Sequence, residues 1–121
     1  MRYVRLFNDD NGESHFDDIA IEFAATDYVS SAAPLDLSTN FPAGHVGFMR
    51  APAGWASDFH VSSARNLFFV LTGEWEVTAS DGESRRFRMG SALLVEDTSG
   101  QGHSSRVVSD TDSVAAMVEL G

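Results

Sequence analysis

Apolar residues recur at every second position in almost every extended segment of this chain. The alternation is clear in RYVRLF, HVGFMR and EWEVTA, and similar segments recur along the chain. Because successive side chains of a strand point to opposite faces, this period is typical of half-buried β-strands. No segment combines the period of an amphipathic helix with capping residues. The sequence therefore predicts an all-β protein.

Turn residues separate the alternating segments. Asn11-Gly12 and Asp81-Gly82 are hairpin signals, since both central residues of a two-residue hairpin turn need positive φ. Many short strands with roughly 8–12 residues between their starts are typical of an antiparallel sandwich or barrel. A length of 121 residues fits one domain. We expect a single β-barrel or sandwich that spans residues 1–121.

The composition excludes several classes of function. The chain has no cysteine, which removes disulfides, thiolate ligands and cysteine nucleophiles. All eight basic residues are arginine, so lysine Schiff-base chemistry is also absent. A net charge of −10 disfavours binding to nucleic acids and to anionic membranes. The N-terminus has no apolar run long enough for a signal peptide, so we expect a cytoplasmic protein.

The segment LLVEDTSGQGHSSR places a histidine after an apolar strand and a glycine-containing loop. Glu96 and Asp97 end the strand, and His103 opens the next segment. On a strand the two adjacent acids would point to opposite faces, so at most one of them faces an interior cavity. Either His103 lies on the surface beyond an ordinary turn, or the loop directs its imidazole into a cavity.

A second histidine lies in GWASDFHVSSARNLFFVLTG. His60 precedes the apolar run NLFFVL, whose two faces are both apolar. Such a run predicts a central strand that is buried on both sides. Asn66 shares one face of this strand with Phe68 and Val70, so its amide is expected to point into the interior.

These two segments resemble the motifs of small single-domain cupins. The first cupin motif reads G-x5-H-x-H-x3-4-E-x6-G, and the chain matches it at Gly54, His60 and Gly73. Ser62 stands where the second histidine would be, and Asn66 stands where the glutamate would be.

The second cupin motif reads G-x5-P-x-G-x2-H-x3-N. Gly90 matches it, and His103 matches its histidine after two extra loop residues. Glu96, Thr98 and Val107 replace the proline, the second glycine and the asparagine. The resemblance covers about residues 43–120 and includes a largely uncharacterised subgroup with an acid-acid-Thr-x-Gly-x-Gly-His second motif.

The resemblance implies a double-stranded β-helix, or jelly-roll barrel. It also implies that His60, Asn66 and His103 meet in one cavity, where they could hold a divalent Zn, Fe, Mn or Ni ion. The alternative is a hydrogen-bonded polar pocket without metal, because a neutral amide and a serine are weaker ligands than the residues they replace. Residues 1–42 would form an N-terminal extension, whose first strand pairs with a second copy in a homodimer.

Five residues are assigned to a pocket for a small organic molecule. An inward Arg50 could bind a substrate carboxylate through two hydrogen bonds, and an inward Glu96 could serve as an acid or base. Aromatic side chains would line the walls, although each could equally be ordinary core. The five are Arg50, Trp55, Phe68, Trp75 and Glu96. His15 and His45 are predicted to lie at the surface or on an edge.

Three functions remain open from the sequence. The first is an enzyme, an isomerase, lyase or oxygenase, in which His60 and His103 act with a metal or with a nearby acid. The second is a binding or sensing module that returns its ligand unchanged. The third is a structural dimer whose site has decayed. Fold-level resemblance does not choose among them, because one barrel supports many chemistries.

Overall fold

A computed structural model describes all residues 1–121 and shows eleven β-strands and no helix. No segment forms a helix that is long and apolar enough to cross a membrane. The strands are β1 (Arg2–Asn8), β2 (Ser14–Ala20), β3 (Ala24–Thr26), β4 (Leu35–Leu37), β5 (Ala43–Ala51), β6 (Asn66–Thr72), β7 (Glu74–Ala79), β8 (Ser84–Arg88), β9 (Ala92–Val95), β10 (His103–Val107) and β11 (Ser113–Leu120).

Two sheets form the body of the protein. A six-stranded sheet has the order β2-β1-β9-β6-β11-β5, and a three-stranded sheet has the order β10-β7-β8. The main core lies between them and takes side chains from both sheets, among them Leu6, Val70 and Leu93 from the first and Trp75 and Phe87 from the second. The predicted central strand, β6, lies between β9 and β11.

The hairpin turns are built differently from the two-residue turns that the sequence suggests. Gly12 and Gly82 have positive φ, but no residue other than glycine does. Around Gly82, the amide of Gly82 donates to Ala79 O, and the amide of Ala79 donates to Glu83 O. This is a three-residue loop that ends in a glycine bulge, so only one residue of each turn needs the left-handed conformation.

The first strand has both of its partners within its own chain. β1 pairs antiparallel with β2 and parallel with β9, from Val4–Leu93 to Leu6–Val95. Leu6 is completely buried in the main core. The expectation that residues 1–42 as a whole form an extension is therefore corrected, since β1 and β2 belong to the barrel. What extends from the body is the segment 21–42, which we call the arm and which contains the β3–β4 hairpin.

His15 joins two hairpin tips at the barrel surface. Its Nε2 lies 2.7 Å from Asp9 Oδ2 and its Nδ1 lies 2.9 Å from Asp81 Oδ2. The hydrogen bonds with Asp9 and then Asp81 raise the pKa of His15 above 6.5. The hydrogen bond with His15 lowers the pKa of Asp9 below 3.8. Folding thus favours the charged forms of His15 and Asp9.

We expect the stabilisation from His15 to depend on pH. The stabilisation from a raised histidine pKa is fully present below the pKa that the histidine has in the unfolded chain. It is lost as pH rises through the pKa that the histidine has in the folded protein. The lowered pKa of Asp9 adds stability that is lost only as pH falls through the pKa of Asp9 in the folded protein. Urea unfolding of wild type and His15→Gln should therefore differ most at about pH 5 and less at about pH 8. A difference that is the same at both pH values would contradict this account.

Candidate functional site

His60 and His103 are brought together by an isolated antiparallel bridge. The amide of each residue donates to the carbonyl of the other, both at 2.9 Å. The two imidazole centroids lie 4.7 Å apart, with the rings inclined at 53°. β10 begins at His103, and the loop before β6 carries His60. The resemblance to cupins implied that these residues share a cavity, and both line the same one in the structure.

Gly102 makes this bridge possible. Its φ is +74°, and a Cβ at this position would lie 2.1 Å from His60 O. Gly100 has a similar role two residues earlier in the same loop, where a Cβ would lie 2.3 Å from Gly12 O. Both glycines let the loop approach another backbone more closely than any side chain would allow. The GQGH segment therefore positions His103.

A buried carboxylate lies behind His103. Asp97 Oδ2 is 2.5 Å from His103 Nδ1, and the Asp97 side chain is 0% exposed. Asp97 Oδ1 is buried and has no hydrogen-bond partner. Buried polar atoms are nearly always satisfied, so this exception calls for a reason specific to the site. The carboxylate orients the ring and lies next to any positive charge that forms on it.

The partners of the two Nδ1 atoms determine which tautomer each histidine adopts whenever its ring is neutral. A carboxylate and a carbonyl accept hydrogen bonds, so the nitrogen bonded to either must carry the proton. His103 Nδ1 donates to Asp97, and His60 Nδ1 donates to Asp58 O at 2.9 Å. Each neutral ring then has its free lone pair on Nε2. The cavity therefore has two basic nitrogens at its polar end.

Ser62 and Asn66 complete the polar end of the cavity. The Ser62 hydroxyl donates to Ala64 O at 2.6 Å, and one Asn66 N–H donates to the same carbonyl at 3.1 Å. The Asn66 carbonyl oxygen and its second N–H have no partner within the protein and remain for a ligand. The serine hydrogen is already used, so Ser62 offers only an acceptor.

The cavity has a volume of about 240 Å³. An apolar cavity of about 150 Å³ accepts benzene, so this space suits a substituted single ring or a short-chain acid. Nine of its fourteen lining residues are hydrophobic. The lining residues are Met49, Trp55, His60, Ser62, Asn66, Phe68, Trp75, Val77, Phe87, Leu93, Val95, His103, Ser105 and Met117.

Three aromatic rings form one wall. Trp75 packs edge-on against Phe68 at 5.5 Å and against Trp55 at 5.7 Å between centroids. The indole N–H of Trp75 donates to Ser113 Oγ at 2.6 Å, which fixes the ring. All three rings, which the sequence assigned to the pocket, line the cavity. Their contacts with one another make the wall rigid and suited to a flat apolar group.

Two other residues that the sequence assigned to the pocket lie outside it. Arg50 is exposed on β5, because the neighbouring Met49 takes the inward position. Glu96 forms ion pairs with Arg5 and Arg65. Burial raises the pKa of Glu96, but the hydrogen bonds from Arg5 and Arg65 outweigh it and leave the pKa below 4.5. Glu96 is thus held as a charged carboxylate away from the cavity.

Asp97 is the functional candidate that sequence reasoning did not assign. The sequence showed two adjacent acids without showing which one turns inward. In the structure neither lines the cavity, but Asp97 lies directly beneath a residue that does. The one available signal was its position six residues before His103, at the start of the glycine-containing loop. His45 lies exposed on the edge strand β5, and His15 lies at the surface as described above.

No protein-family model and no curated protein matches the chain. Solved structures do resemble it. The cupin domain of Cnp3 from Schizosaccharomyces pombe matches with a TM-score of 0.53 and 16% identity, covering 100% of this chain and 83% of that chain. A protein of unknown function from Rhizobium leguminosarum bv. viciae 3841 matches with a TM-score of 0.52 and 18% identity, covering 63% of this chain and 69% of that chain.

Proposed function

From the all-β jelly-roll cupin fold of this chain, we propose that its cavity binds a small, largely apolar organic molecule and transfers a proton at a carbon next to a carbonyl. The reaction class is an isomerisation or a lyase reaction. The observation that carries the proposal is the Asp97–His103 pair. A fully buried carboxylate holds the imidazole from behind, which leaves His103 Nε2 as the base on the cavity side.

The residues of the cavity have separate roles in the proposed reaction. The apolar part of the substrate packs against Phe68 and Trp75, with its carbonyl toward Asn66. His103 Nε2 takes a proton from the adjacent carbon, and Asp97 stabilises the imidazolium that forms. The free Asn66 N–H donates to the oxygen on which negative charge develops. His103 then returns the proton to another carbon, or a leaving group departs.

A second candidate involves a metal ion. Both imidazoles donate Nδ1–H to oxygen and offer Nε2, as histidine ligands of metals generally do. With the Asn66 oxygen, they make three neutral donors, a set that fits a weakly held divalent transition ion. Such an ion would polarise a substrate carbonyl when bound. No carboxylate lines the cavity to strengthen this binding, and we therefore favour the metal-free role of His103.

We expect wild-type protein to exchange the acidic C–H hydrogens of small aromatic ketones or keto acids for deuterium in D₂O. The His103→Ala variant should lower this rate by about 10²–10⁴-fold, because it removes the base. Proton NMR of the small molecule measures the exchange directly. His45→Ala is the matched control, since His45 is exposed and outside the cavity.

Three outcomes separate the candidates. Exchange that persists after treatment with a chelator supports His103 as a metal-free base. Exchange that is lost with a chelator and restored by Zn²⁺ or Ni²⁺ supports the metal. Saturable binding of the compounds without exchange would overturn proton transfer and leave a binding module.

A further inference from the structure

Three polar side chains of the cavity offer a ligand acceptors and no donor. His60 and His103 each direct Nδ1–H at an oxygen of the protein, so a neutral ring has only the lone pair of Nε2 left for a ligand. Ser62 has given its hydroxyl hydrogen to Ala64 O and likewise offers only its oxygen. A ligand at this end of the cavity therefore meets atoms that can only accept a hydrogen bond.

The donors in the cavity come from three other residues. Asn66 offers one N–H beside its own carbonyl oxygen, since its other N–H donates to Ala64 O. The hydroxyl of Ser105 can donate or accept, and the indole N–H of Trp55 belongs to the aromatic wall. Acceptors thus outnumber donors among the lining side chains. Because unmatched buried polar groups are costly, a well-matched ligand must bring hydrogen-bond donors of its own.

The charges around the cavity oppose an anionic ligand. No arginine lines it, and Arg5 and Arg65 are held outside it by Glu96. Asp97 places a negative charge directly behind His103, on a side chain that is 0% exposed. A carboxylate ligand would lose its hydration beside a like charge, with no arginine to pair with it. Of the ligands that the cavity volume admits, a neutral molecule is therefore favoured over an acid.

We propose that the substrate is a neutral ketone with a single apolar ring and a hydroxyl group on the carbon next to the carbonyl. This inference rests on the proposed function and names its substrate class. The ketone oxygen accepts from the Asn66 N–H, and the neighbouring hydroxyl donates to the Asn66 carbonyl oxygen, so both polar groups of the substrate bind one amide. His103 Nε2 then takes the proton from the carbon that carries the hydroxyl. Asn66 is thus the residue that selects this substrate.

Isothermal titration calorimetry of the full-length protein with three matched compounds tests the substrate class. The compounds are ω-hydroxyacetophenone, propiophenone, in which a methyl group replaces the hydroxyl, and phenylglyoxylate, an acid of similar size. Titrations are made at about pH 8, where imidazole in water is neutral. The hydroxy ketone should bind at least about 10-fold more tightly than either of the others, because only it is neutral and supplies the donor.

Asn66→Leu tests the residue that makes the selection. The variant keeps the size of the side chain but removes its donor and acceptor, so affinity for the hydroxy ketone should fall by about 10-fold while affinity for propiophenone is retained. Asn40→Leu is the matched control, since Asn40 is exposed and outside the cavity. Circular dichroism confirms that each variant is folded, and the comparison of compounds on wild type needs no variant.

The outcomes separate this inference from the proposed function. Propiophenone that binds as tightly as the hydroxy ketone, and exchanges its acidic hydrogens for deuterium, would overturn the hydroxyl requirement and leave proton transfer standing. Tightest binding of phenylglyoxylate would overturn it too, and would indicate an imidazolium that pairs with the acid. If Asn66→Leu kept the preference for the hydroxy ketone, selection by Asn66 would be refuted. Binding of none of the three compounds would refute both proposals.

Discussion

Replacing Gly102 by alanine is expected to destabilise the protein by about 4 kcal/mol, since it combines a strained backbone with a steric overlap. At φ +74° a residue with a side chain is strained, and the new Cβ would lie 2.1 Å from His60 O. The neighbouring atom belongs to the backbone and cannot rotate away. The bridge that pairs His60 with His103 must then open.

Thermal unfolding measures this loss directly. The melting temperature should fall by about 15 °C for a domain of this size. Gly54→Ala is the control, because Gly54 has φ +81° but nothing lies within 4 Å of its added Cβ. It should cost only about 1–2 kcal/mol, the cost of the left-handed conformation. Equal falls in melting temperature for the two variants would show that backbone strain alone destabilises the protein and that the close approach to His60 contributes nothing.

Replacing Asp97 by asparagine is expected to lower the rate of proton exchange by about 10²-fold or more, while ligand binding changes little. The substitution keeps the size of the side chain but removes the negative charge that faces the His103 imidazolium. An amide can also donate to Nδ1, which would place the ring proton on Nε2 and remove the base from the cavity. The rate therefore falls through two related effects.

The nitrogen shifts of the His103 ring provide a readout that requires no substrate. In wild type, ¹⁵N NMR of the neutral ring should show a protonated Nδ1 and an unprotonated Nε2. Asp97→Asn should alter this distribution. The matched control is Glu96→Gln, which changes the adjacent acid but lies outside the cavity, beside Arg5 and Arg65. If both variants altered the rate and the ring to the same extent, the specific role of Asp97 would be refuted.

The unpartnered oxygen of Asp97 indicates that this carboxylate has a role other than stabilising the fold. A buried carboxylate is costly unless it is paired, and Asp97 Oδ1 has no hydrogen-bond donor in reach. A residue kept only for stability would be satisfied on both oxygens or replaced by an apolar side chain. The arrangement is instead suited to a partner that becomes positively charged during a reaction.

Much of the candidate site was predictable from local patterns. His60, Asn66 and His103 line one cavity, and their motif positions indicated this through the resemblance to cupins. The placement of Arg50 was not predictable, because Arg50 shares a face of β5 with Val46 and Phe48. Alternation predicts that this apolar face lies inward, but it is exposed in the structure. Met49 takes the inward position, and Arg50 therefore points to solvent.

The two-residue apolar period and the glycine-marked turns of the sequence determined an all-β fold, and its resemblance to the cupin motifs implied the jelly roll and identified the two histidines. Only the tertiary structure decided which acid supports His103 and where β1 pairs. Side-chain direction beyond the end of a strand depends on contacts from elsewhere in the chain. Arg5, 91 residues away, binds Glu96 and holds it outward, while Asp97 turns beneath the imidazole. Pairings over such separations follow from the packing of the whole barrel, which no local pattern encodes.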